Sequence, residues 1–66
     1  MKHYYFIENK SGEEFIVGAF NYNEAEEIAR DVGQSIALNC GWDDFCIEFQ
    51  YEMTEEEAEA SGLDEY

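Results

Sequence analysis

Three small sets of residues in this 66-residue chain have side chains capable of site chemistry. His3 is the single imidazole, but a base needs a nucleophile and an orienting group, and no Ser or Cys stands near it in sequence. Cys40 and Cys46 are separated by five residues, wider than the two to four of a zinc knuckle, with only one His to add as a ligand. Asp43 and Asp44 lack the alternating oxygens and internal glycine of a calcium loop and read as a solvated turn. No glycine-rich phosphate cradle occurs. A chain this short also has little volume for a substrate cavity of roughly 300–1,000 Å³. The expectation is therefore a protein that is not an enzyme and carries no metal or cofactor.

Carboxylates dominate what remains. Seventeen Asp and Glu face three Lys and Arg, a formal net charge of −14. A charge of magnitude about 2–8 already keeps a small domain soluble. Glu27 and Asp31, and again Glu55 and Glu59, stand four residues apart on predicted helices, where side chains are neighbours at about 5–6 Å between Cβ atoms. Glu48 and Glu52 fall on one face of a regular strand about 13 Å apart, at roughly 3.3 Å per residue. With Glu24, Glu26, Glu56 and Glu57 nearby in sequence, these spacings are comparable to those of nucleic-acid phosphates, and their chemistry, like that of the Asp43–Asp44 pair, is charge-assisted pairing with Lys and Arg. The plain alternative is acidity that serves solubility alone. Five Phe, five Tyr and one Trp exceed what one small sheet and helix can hide. Tyr22, Trp42 and either Tyr4 or Tyr5 are candidate binding anchors, because Tyr and Trp dominate interface hot spots. The same residues suit a satellite core or a self-association surface.

The elements that must position these groups follow from the hydrophobic pattern. Lys2 to Asn9 holds a Tyr-Tyr-Phe-Ile run and reads as a central strand, a turn at Lys10–Glu13 follows, and Glu14 to Phe20 completes a hairpin. Asn23, with Glu26 three residues on, predicts a helix over 24–39 with Ala25, Ile28, Ala29, Val32 and Ile36 on its buried face. Gly33 inside it implies close packing or local weakness. Phe45, Ile47, Phe49, Tyr51 and Met53 alternate with Cys46, Glu48, Gln50 and Glu52 as a third strand. Thr54 and Glu57 form a capping box for a short helix over 55–60, with Leu63 and Tyr66 placed to tie back the tail. Strand directions then give an α+β two-layer sandwich, β-β-α-β plus a short C-terminal helix, in which a three-stranded antiparallel sheet of order 2-1-3 packs on one helix. The first strand turns either Tyr4, Phe6 and Glu8 or His3, Tyr5 and Ile7 to the uncovered face.

No stretch reaches the roughly 18–20 apolar residues of a membrane span, and MKHYYFIENK lacks the apolar region of a secretory signal. A single cytoplasmic domain with free thiols is expected. The charge opposes direct contact with nucleic acid or anionic membrane and favours basic protein partners. In brevity, α+β pattern and the acidic segments NEAEEIARD and MTEEEAEASGLDEY, the chain resembles the small acidic inhibitors of phages and mobile elements, of anti-CRISPR and DNA-mimic type. That resemblance implies stoichiometric blocking of a nucleic-acid-binding protein or nuclease complex. The competing expectation is an assembly module, monomer or homodimer, that pairs through its open sheet face.

Overall fold

The computed structural model describes residues 1–66. β1 (Lys2–Glu8) and β2 (Glu13–Ala19) form the hairpin, followed by α1 (Tyr22–Cys40), β3 (Ile47–Met53) and α2 (Glu55–Ser61). The sheet is antiparallel in the expected order, β2-β1-β3. Gly12 closes the hairpin at φ 78°, and its N–H donates to the Glu8 carbonyl at 2.8 Å.

Tyr4, Phe6, Phe15, Val17 and Ala19 face α1 and form the main core with Ala25, Ala29, Val32 and Ile36. The Phe6 and Phe15 rings stack at 5.8 Å, and Phe49 meets Phe6 edge-on at 5.6 Å. Such pairs add about 0.5–1.5 kcal/mol each beyond the area they bury. Gly33 is there because of close packing: a Cβ would lie 2.6 Å from the Phe45 ring and 2.9 Å from Ile47 Cγ2.

Three features depart from the sequence reading. First, α1 begins two residues early. Asn21-x-x-Glu24 repeats the spacing of Asn23-x-x-Glu26, and it is the Asn21 side chain that accepts the Glu24 N–H at 2.9 Å, while the Glu24 carboxylate accepts the Phe20 N–H at 3.2 Å. That choice brings Tyr22 into the first turn, edge-on to Phe49 at 5.2 Å and to Tyr4 at 6.0 Å. Second, β3 does not alternate throughout. Tyr5 pairs with Tyr51 but Phe6 with Phe49, so Gln50 is an extra residue in a β-bulge. The bulge flips the phase: Ile47 and Phe49 join the α1 side, whereas Met53 joins Ile16 and Ala58 in a second small core beneath α2. Glu48 and Glu52 consequently lie on opposite faces rather than one. Third, the tail, expected to tie back through Leu63 and Tyr66, does so through its main chain, as a single parallel bridge of Glu65 with Ile16. Ile16 N–H donates to the Asp64 carbonyl at 2.9 Å, Tyr66 N–H to the Ile16 carbonyl at 2.8 Å, and Gly18 N–H to the Tyr66 carbonyl at 2.8 Å. The outer edge of β2 is thereby covered from Ile16 to Gly18. β3 is the other edge, blunted by its bulge, by Glu48 and Glu52, and by the Gln50 amide donating to the Glu48 carbonyl at 3.1 Å.

One carboxylate is internal. Glu8 is fully buried and shares the core phase of Tyr4 and Phe6. Its Oε1 accepts the Ser11 N–H and its Oε2 the Cys46 N–H, both at 2.7 Å, tying the hairpin turn to the segment that leads into β3. Burial pushes the carboxyl pKa up, but the N–H donors, Cys46 first, outweigh it and hold the group below its ordinary value.

Two stability outcomes follow. In Glu8→Gln the new amide sets an N–H against an N–H donor, and unfolding by denaturant should show a loss of roughly 2–4 kcal/mol. Because the folded carboxyl ionises more readily than the unfolded one, its contribution is present above the ordinary value of 4.5 and is lost as pH falls through the lower folded value. Acid melts of Glu8→Gln should therefore lack that part of the wild-type decline. Gly33→Ala should lower stability by about 1–3 kcal/mol through overpacking, despite the helix propensity Ala adds.

Candidate protein-binding surface

Strand register lays out the second sheet face in rows. Glu14, Ile7 and Glu48 form the first, Ile16, Tyr5 and Tyr51 the next, and Gly18, His3 and Met53 the third. α2 and Leu63 cover Ile16 and Met53, and the tail crosses Gly18, where a Cβ would lie 3.1 Å from a Glu65 carboxylate oxygen. Half-buried Ile7, half-buried Tyr5 and half-exposed Tyr51 are left as an apolar centre. Glu14 and Glu48 flank it on the outer strands, about 10 Å apart at the usual strand spacing.

The carboxylates of this face are held in place. The Tyr5 hydroxyl donates to Glu14, the Asn9 amide donates to Glu48, and His3 pairs with Glu65. The Tyr5 phenol is pushed up to about 12, first by its hydrogen bond to Glu14 and then by burial and by the charge of Glu14. Tyr51 stands edge-on to Tyr5 at 5.2 Å. The chemistry available is recognition: fixed acceptors around an aromatic centre suit guanidinium and ammonium groups on a partner.

Other carboxylates singled out in the sequence are dispersed. Glu27 and Asp31 are exposed on α1, and Glu55, Glu56 and Glu59 are exposed on α2, across the sheet from α1. Glu52 pairs with Tyr4 on the α1 side, and of the expected strand pair only Glu48 belongs to the second face. Asp43 and Asp44 are exposed in the α1–β3 connection, where Lys10 pairs with Asp44. Trp42 is half-buried against the main core, with Lys10 Nζ 5.1 Å above its ring. Tyr22 is 40% exposed, and its hydroxyl donates to Glu26 at 3.4 Å. The sequence reading missed Glu14 as a member of the site. The four-residue loop Asn9–Gly12 sets the hairpin register, and that register places Glu14 beside Ile7. Both cysteines are free and exposed, and no group of three His, Cys, Asp or Glu side chains is arranged to hold a metal ion.

No protein-family model matches the chain, and comparison with curated proteins and with solved structures finds no match. A spectroscopic outcome follows from the geometry of this face. Of the five tyrosines, Tyr5 should ionise near pH 12, and Glu14→Gln should bring its titration down toward 10, as read by tyrosinate absorbance.

Proposed function

We propose that this chain is an acidic binding protein that occupies the basic, nucleic-acid-binding surface of a protein partner and blocks it by stoichiometric association. The observation that carries this reading is that the negative charge lies outside and unmatched. All Asp and Glu are exposed except Glu8, which is buried, and Glu24 and Glu26, which are half-buried. Only Lys10 forms an ion pair within the molecule, and His3 hydrogen-bonds Glu65. Folding therefore leaves most carboxylates free to pair with a basic surface, while the Ile7–Tyr51 centre supplies short-range affinity that charge alone does not. Resemblance to the anti-CRISPR and DNA-mimic inhibitors points the same way.

The assembly reading draws on the same half-buried Ile7 and half-exposed Tyr51, yet two copies brought together on that face would each bring a charge of −14. Solution mass separates the two: a monomer agrees with the inhibitor reading, and a dimer that shields Tyr51 contradicts it.

Tagged chain should capture one nucleic-acid-binding protein in stoichiometric amount from a nuclease-treated bacterial lysate, released in salt steps. Glu48→Lys with Tyr51→Ala should weaken that complex by about tenfold or more at low salt without altering the circular dichroism of the free chain. Binding insensitive to ionic strength would overturn the proposal. The free protein should also melt at higher temperature as salt is added, since screening relieves self-repulsion.

A further inference from the structure

Around the β2 edge from the second sheet face, and meeting it at Glu14, a groove runs between α1 and β2 with its tail. It comprises two adjoining cavities of about 160 and 450 Å³ that share Glu13, Val32, Ile36 and Tyr66. Asp64 lines the smaller and Asp31 the larger, and neither is lined by Lys, Arg or His. The buried side chains of Val32 and Ile36, with half-buried Ile28 in the larger cavity, lie at the floor, and the charged walls are of one sign. Tyr66 is 54% exposed, with its ring held edge-on against Phe15 at 5.8 Å.

We propose that this groove receives an arginine side chain from a basic protein segment, the aliphatic stem lying on Val32 and Ile36 and the guanidinium meeting Glu13, Asp31 and the Tyr66 ring. Charge complementarity selects a cation. The apolar floor selects one on a long stem, and a planar guanidinium can both stack on an aromatic ring and bond carboxylates. The molecule makes the same combination internally, where Lys10 lies over Trp42 and pairs with Asp44. Neither Glu13 nor Asp31 uses its side chain in a hydrogen bond or ion pair of the fold, so both are free for an incoming group.

The inference rests on the proposed function only for the source of the arginine. The test titrates isotope-labelled protein with acetyl-Gly-Ala-Arg-Ala-Gly-amide, followed by amide chemical shifts. Shifts should concentrate at Glu13, Asp31, Val32, Ile36 and Tyr66, and the citrulline peptide, neutral and of the same shape, should bind about tenfold or more weakly. Glu13→Gln with Asp31→Asn should weaken the arginine peptide about tenfold, whereas Glu56→Gln with Glu59→Gln, the same charge change on α2, should leave it within about twofold. Equal effects of the two double variants, equal binding of the citrulline peptide, or no shifts at millimolar peptide would overturn the groove assignment. If a captured partner binds with strong salt dependence but is indifferent to the groove variants, the groove fails and the function stands. If no partner is captured while the peptide discriminates as stated, the reverse holds.

Discussion

The buried carboxylate of Glu8 is the constraint on which the architecture turns. An ionised group without water is tolerated only when its oxygens are satisfied, and here each accepts a main-chain N–H, one from the hairpin turn and one from the chain leading into β3. Two segments 38 residues apart in sequence, Glu8 and Cys46, are thereby fixed to one another. Strand parity does the rest. With Glu8 turned toward α1, its neighbour Ile7 must point to the second face, where hairpin register and β3 register set Glu14 and Glu48 on either side of it. The layout of the second face is a geometric consequence of where one glutamate is hidden.

The remaining acidity is arranged by what the core can tolerate. Aromatic and small aliphatic side chains fill the space between α1 and the sheet, and α2 covers only Ile16 and Met53 of the other face. Carboxylates are left to the outside of both helices, the α1–β3 connection and the strand edges. Coulomb repulsion among exposed charges is weak at water's dielectric constant, about 1 kcal/mol per pair at 4 Å, but it accumulates over a net charge of −14. A basic partner would relieve it, so under the proposed function the property that burdens the free fold would also favour association. Hydrogen bonds that fix Glu14 and Glu48 reduce the ordering such association requires.

Much of this was legible in the sequence. The hairpin, the strand order, the buried stripe of α1 and the Thr54–Glu57 capping box all rest on local rules that tertiary structure left intact. The features that escaped are ones where two local solutions compete or where the deciding contact is distant. Asn21 and Asn23 each begin an Asn-x-x-Glu cap, and the ring of Tyr22 against Tyr4 and Phe49 accompanies the first. The alternation of β3 reads as regular because Ile47, Phe49, Tyr51 and Met53 are all apolar, yet Ile47 packs on one core, Met53 belongs to another, and a bulge divides them. Glu8 offered a signal, a carboxylate in phase with Tyr4 and Phe6, but its partners come from Ser11 and from Cys46 far along the chain.

The central claim, that this acidic surface takes the place of nucleic acid on a partner, is tested most directly by competition. Captured partner is loaded with a labelled nucleic acid that it binds, and this chain is added while fluorescence anisotropy and elution volume are followed. The account predicts release of the nucleic acid at one equivalent of added chain and no species containing all three components. A stable ternary complex, with nucleic acid and this chain bound together at full occupancy, would contradict it.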